Sequence, residues 1–165
     1  MGLSESDISA LVLSLRVSGV ALIAFMAPCV LIGVWLGSGR SPLRSAAQAI
    51  LTIPLVMPPV VTGLLILKGL LVVGRPLVFS WWAAAMASGV VAAPLLIRTV
   101  AAAVDSMDSR LFIAARTLGA SRTRVLLTIL MPMSWHAIVG GAILFWARAM
   151  GEFGAVMVVA GNTPG

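Results

Sequence analysis

The chain has 165 residues, of which 61% are hydrophobic and 10% charged, with a mean hydropathy of +1.12. A soluble domain carries roughly 25% charged residues, and disorder requires low hydrophobicity with high charge, so a water-soluble globular enzyme and a disordered chain are both excluded. The formal charge of +6 comes almost wholly from arginines set between apolar runs, which is the pattern of loops flanking membrane spans rather than of a nucleic-acid-binding face.

The expected fold is all-α: a polytopic membrane helical bundle of about four transmembrane helices plus a cytoplasmic helix–turn–helix loop. The whole chain, residues 1–165, reads as a single transmembrane domain. Residues 17–36 are the first span, because twenty uncharged residues cover the roughly 30 Å hydrocarbon layer. The preceding segment holds Glu5 and Asp7 and no base. A secretory signal begins with positive charge, so this helix is expected to be retained. Cys29, the single cysteine, rules out a disulfide framework and reads as apolar filler. Residues 50–67 form the second span, interrupted by Pro54, Pro58 and Pro59. Each proline frees a carbonyl that lipid cannot satisfy, so this span must pack on protein or line a wet cavity.

Residues 77–97 are the third span, anchored at the interface by Trp81 and Trp82 and carrying Pro94 near its other end. The fourth runs from about residue 134 to 156 and is the one with charges well inside it, Arg148 and Glu152. Four residues apart, these two share a helix face. Two readings stand: an internal ion pair fixing the helix against a neighbour, or a charged lining of a translocation pathway, with Gly151 and Gly154 permitting a bend or a close backbone contact. His136, beside Trp135, reads as an interface anchor.

Arginines set the direction. The connections at residues 37–49 and 98–132 carry Arg40, Arg44, Arg98, Arg110, Arg116, Arg122 and Arg124; the opposite side has Arg16, Lys68 and Arg75. The positive-inside rule puts the N-terminus outside and the 98–132 loop in the cytoplasm. Within that loop Asp108 caps a helix over 109–118, with Leu111, Ala115 and Leu118 on one face. Gly119 suits a left-handed position just past its end. Ser121 caps a second helix, 122–131, with Val125 and Ile129 on one face, and Pro132 leads into the membrane. Such an amphipathic elbow either lies on lipid or docks in a partner's groove, and the residues alone leave both open. No nucleophile–base–orienter set and no cluster of metal ligands is visible. No catalytic residue, metal site, bound cofactor or nucleic-acid partner is therefore expected.

The run Ile113-Ala114-Ala115-Arg116-Thr117-Leu118-Gly119, followed by Ile129 and Pro132, resembles the EAA motif of ABC-importer permease subunits. That motif reads Glu-Ala-Ala, three residues, Gly, nine residues, Ile, any residue, Leu, Pro. Ile113 stands where Glu is usual, and Met131 where Leu is usual. The stretch Ala147-Arg148-Ala149-Met150-Gly151-Glu152-Phe153-Gly154-Ala155, with Gly161-Asn162-Thr163-Pro164-Gly165, resembles the oxyanion branch, which takes molybdate, tungstate or sulfate/thiosulfate. Leu55-Val56-Met57-Pro58-Pro59-Val60-Val61 and Phe79-Ser80-Trp81-Trp82 favour molybdate within it.

The resemblance implies a multi-pass permease of the bacterial cytoplasmic (inner) membrane. Its partners would be a separate ATP-binding cassette ATPase, a second permease copy forming a homodimer, and a periplasmic or extracellular oxyanion-binding protein. The ATPase would grip the elbow at Ala114, Ala115, Arg116, Gly119, Ile129 and Pro132, and ATP would be used there. The chain lacks a Gly-Lys-Ser/Thr phosphate loop of its own: its one lysine, Lys68, lies between Leu67 and Gly69. In the resembled family the Asn-Thr-Pro-Gly region precedes another amphipathic segment and a further span, so truncation relative to the family is expected. A truncated, non-transporting membrane partner of the ATPase is the competing reading.

Overall fold

Lipid offers no hydrogen-bonding partner, so a spanning backbone must satisfy itself, and helices do this within each segment. The computed structural model describes residues 5–73 and 80–152, and every regular element among them is helical. In chain order they are α1 (Glu5–Gly37), α2 (Pro42–Val56), α3 (Pro59–Val73), α4 (Trp81–Asp105), α5 (Ser109–Thr117), α6 (Arg122–Val125), a π-helical turn (Leu126–Leu130), the short α7 (Met131–Met133) and α8 (Trp135–Met150).

α4 is the hub, touching α1, α2, α3 and α8. Its buried face is mostly small, with Ala84, Ala85, Ala87, Ser88, Gly89 and Ala92. Lipid tails are as apolar as leucine, so helices in a bilayer gain by approaching closely where side chains are small. Gly33 and Gly37 of α1 meet α4 in this way. A Cβ at Gly33 would lie 2.8 Å from the Val100 Cβ and 2.9 Å from the Ile97 carbonyl oxygen. At Gly37 it would press on the Ala101 carbonyl. Gly89 returns the contact, its missing Cβ leaving room for the Phe25 ring. The pairs Phe25–Gly89, Gly33–Ile97 and Gly37–Ala101 rise together, so α1 and α4 run parallel.

α8 runs the other way. Gly141 sits against Leu96 and Thr99. The fully buried Phe145 meets Phe25 with ring centroids 6.3 Å apart and tilted by 37°, and Trp146 Nε1 donates to Ser18 Oγ at 3.1 Å. That hydroxyl donates in turn to the Ser14 carbonyl at 2.8 Å, so the buried Ser18 is satisfied on both sides. Cys29 is buried between helices, in agreement with a filler role.

The spans differ in detail from those expected. The first helix begins before residue 17, carrying Arg16 over the Trp81 ring at 4.5 Å. The second is broken: α2 and α3 meet at 115° across Met57–Pro58, where proline leaves no N–H to continue the ladder. The third is shifted towards the C-terminus. α4 ends at Asp105 rather than 97, because Ala101–Ala103 are strong helix formers and Val100, Ala101 and Val104 are buried in the core beyond Arg98, whose long side chain stays exposed. The loop expected to start at residue 98 therefore opens at Ser106. The fourth helix, α8, stops at Met150. Its 16 residues reach only about 24 Å, and the Arg122–Met133 arm joins it at 70°. Leu11–Gly37 and Trp81–Asp105 are each long and apolar enough to cross a membrane alone; counting each bent pair as one span gives four.

The same substitution at two α1 glycines should have opposite signs. Gly33→Ala is expected to destabilise the bundle by about 1–3 kcal/mol. Gly19→Ala, with nothing within 4 Å of its Cβ, should be neutral or stabilising by up to about 1 kcal/mol. Thermal unfolding in detergent micelles measures both, and equal midpoints for the two variants would contradict the close-packing account.

Candidate functional site

Two charged ends bracket the bundle. Arg40, Arg44 and Arg98 gather where α1, α2 and α4 meet, and the elbow built by α5 and α6 adds Arg110, Arg116, Arg122 and Arg124 at that same end. The opposite end holds Arg16, Trp81 and the last turn of α8.

The elbow is built by local hydrogen bonds. Asp108 Oδ1 accepts from the Arg110 N–H at 2.9 Å and starts α5. The helix closes in a Schellman arrangement: Ala120 N–H donates to the Ala115 carbonyl and Gly119 N–H to the Arg116 carbonyl, both at 3.0 Å. This needs a left-handed residue at 119, and Gly119 has φ +82°. Ser121 Oγ then accepts from the Arg124 N–H at 3.2 Å and starts α6. Instead of continuing to Met131 as a regular helix, the chain widens into the π turn, with Met131 N–H reaching back to the Leu126 carbonyl. Pro132 lacks an N–H and would crowd the carbonyl four residues earlier, so a wider turn just ahead of it relieves the clash.

The elbow's two faces sort its residues. Phe112, Ala115, Ala120, Leu126 and Ile129 pack towards the bundle core, and Val125 and Leu130 are buried in it. Ala114, Arg116, Gly119 and Pro132 are exposed, as are Ile113 at 62% and Leu118 at 88%. The expected apolar stripe of Leu111, Ala115 and Leu118 is thus corrected. Leu118 lies past the last helical residue, so helical spacing no longer sets its direction, and Phe112 takes the inward role. A Cβ at Gly119 would meet nothing within 4 Å; within this chain the glycine answers to backbone conformation, and its outer side is open. A groove of about 870 Å³ separates the elbow from the end of α1, between Trp35 on one wall and Phe112 and Arg116 on the other.

At the other end Arg148 and Glu152 form an ion pair, i to i+4. Glu152 is buried, whereas the Arg148 side chain keeps 28% of its surface. Because α8 ends at Met150, the pair sits at the helix terminus rather than mid-span, where Arg148 also meets the negative end of the helix dipole. Gly151 caps α8 with φ −82°, and its nearest neighbours to a Cβ are 3.7 Å away, so it provides no close contact. Gly154 lies outside the described residues. His136 and Trp135 are exposed beside the bend at Ser134.

Residues 29–164 match the family described as binding-protein-dependent transport system inner membrane component. The chain is 37% identical to the molybdenum transport system permease protein ModB of Escherichia coli, an alignment covering all of this chain and 77% of that protein. It is 36% identical to ModB of Haemophilus influenzae, over 96% of this chain and 74% of the relative. The molybdate/tungstate transport system permease protein WtpB of Thermococcus kodakarensis is 36% identical, over 88% of this chain and 58% of its own length.

Removing one member of a buried pair leaves the other charge uncompensated, whereas removing both does not. Glu152→Gln alone should lower the thermal midpoint, and the Arg148→Gln/Glu152→Gln double variant should recover most of it, with a coupling of about 1–3 kcal/mol. Strictly additive losses would show that the two side chains do not act as a pair.

Proposed function

The chain belongs to the binding-protein-dependent transport system inner membrane component family, and from that premise we propose that it is the transmembrane permease subunit of an ATP-driven importer for molybdate. Names of its relatives support the substrate. The observation that carries the coupling mechanism is the Gly119 turn: a capped elbow seated on the bundle by its inner face, with an outer face that is arginine-rich, apolar and exposed.

We assign the elbow's end to the cytoplasm and the N-terminus to the outside, on the excess of arginines at that end. A separate ATPase subunit takes the elbow in a surface cleft, with Ala114 and Gly119 giving close approach and Ile113 and Leu118 giving apolar anchors. Ile113 replaces an acidic residue, so the contact relies on shape and burial in place of a charge pair. Nucleotide binding and hydrolysis in that partner displace the elbow. α4 begins at the opposite end and finishes three residues before α5, so it transmits the displacement along about 37 Å of helix.

A second copy of the chain completes the pathway, and an external oxyanion-binding protein delivers the cargo. Arg148, the more accessible member of the ion pair, presents positive potential to a tetrahedral dianion near the outer end. Tungstate is the second reading for the cargo, favoured by the relative named for both oxyanions.

Gly119→Asp is expected to insert in the membrane with a normal helical spectrum but to lose co-purification with the ATPase; undiminished co-purification would refute the docking role. In vesicles reconstituted with ATPase and binding protein, ATP-dependent molybdate uptake should be lost in the Arg148→Gln/Glu152→Gln variant although the complex assembles. Normal uptake by that variant would remove Arg148 from the pathway, and absence of uptake by the unaltered chain would favour a non-transporting partner of the ATPase.

A further inference from the structure

The groove between the elbow and the end of α1 joins two chemistries in one cavity of about 870 Å³. α1 supplies Leu31, Val34, Trp35 and Ser38, one face at helical spacing. Leu31 lies about 10 Å further into the span than Ser38, so this wall descends from the bilayer edge into hydrocarbon. Phe112, Leu126 and Leu130 supply further apolar surface from the elbow. The cationic lining is Arg44 of α2 with Arg116 and Arg122 of the elbow. Arg44 ties the two parts together: its guanidinium lies 5.5 Å from the Trp35 ring, and its Nη1 is 2.5 Å from the empty Cβ position of Gly39.

These three guanidinium groups meet no carboxylate: among the described residues no acidic side chain lines the groove, and none forms an ion pair with Arg44, Arg116 or Arg122. The chain has five acidic residues. Glu5 and Asp7 begin α1 at the opposite end, Asp105 holds Arg40, Asp108 caps α5 and Glu152 holds Arg148. A second copy of the chain therefore brings no spare carboxylate to this end, and an apolar helix laid here would bury uncompensated charge. A water-soluble partner would have to reach below the bilayer edge to Leu31. A free inorganic anion would answer the arginines and leave the apolar wall unfilled. A phospholipid answers both: its phosphate fits the forked guanidinium donors and its acyl chain fits the descending wall. We propose that this groove binds an anionic phospholipid, with the phosphate held by Arg44, Arg116 and Arg122 and one acyl chain laid along Leu31 and Trp35. Bound there, the headgroup bridges the bundle, through Arg44, to the elbow, through Arg116 and Arg122, and relieves the repulsion among the three. The proposal rests on α1 crossing the membrane and not on any docking of the ATPase.

The test uses the full chain in lipid nanodiscs of phosphatidylcholine with a minority of phosphatidylglycerol, followed by native mass spectrometry of the released protein. The unaltered chain should retain phosphatidylglycerol over phosphatidylcholine, and Arg44→Gln/Arg122→Gln should retain about tenfold less. Arg40→Gln/Arg98→Gln removes the same charge from the neighbouring cleft between α1, α2 and α4 and should retain as much as the unaltered chain. Leu31→Trp adds bulk to the apolar wall without touching a charge; it should retain several-fold less with an unchanged helical spectrum and thermal midpoint. Equal losses in the two arginine pairs would reveal a diffuse attraction to the whole basic end and overturn the proposal. Full retention by Leu31→Trp overturns it as well, since the contact would then involve the phosphate alone. So does an unaltered chain that shows no preference for phosphatidylglycerol.

Discussion

The bundle depends on backbone-to-backbone approach at positions that have no side chain. Gly33, Gly37, Gly89 and Gly141 each occupy a place where a Cβ would collide with a neighbouring helix, and all four contacts involve α4. A hydrophobic driving force does not separate helix from lipid, so close packing and a few interhelical hydrogen bonds must hold the assembly. The Trp146–Ser18 bond and the Phe25–Phe145 contact supply the directional part, bringing α8 onto α1 across the same hub.

Stability and function are divided along the chain. The close-packed core ends where the charges begin, at the Arg40–Asp105 pair on one side and at the Arg16–Trp81 contact on the other. Beyond Asp105 the chain changes style. Caps at Asp108 and Ser121, a left-handed glycine and a π turn shape a piece that local hydrogen bonds hold together and that Val125 and Leu130 fasten to the bundle. A piece held in this way keeps its shape under load, as the coupling role proposed for it requires.

How much was legible follows from how local each signal is. The caps and the turn of the elbow were readable because Asp108, Gly119 and Ser121 act within three or four positions of themselves, whereas the π turn at Leu126–Leu130, set by Pro132 further on, was not. Membrane character was equally plain from composition. Span limits were not, because Arg98 reads as a boundary to a charge count while the surrounding alanines and valines carry the helix past it. Leu118 misled for a related reason, helical spacing having been extended one residue beyond the helix. The prolines signalled a break near residue 57 but could not give its 115° angle. The Gly33 and Gly37 pair, four apart in an apolar run, was a signal available in the sequence as a close-packing face and was missed. The Trp146–Ser18 bond, joining residues 128 positions apart, had no local trace.

One consequence of the glycine contacts concerns which movements the molecule can make. With a carbonyl of α4 lying 2.9 Å from the empty Cβ position of residue 33, α1 and α4 are meshed like gear teeth and cannot slip past one another as pistons without unmeshing. They travel as one block, joined by α8. Compliance is thereby exported to the two bends, 115° at Met57–Pro58 and 70° at Ser134. A stiff three-helix unit swinging on two soft knees is a hinge machine rather than a sliding one.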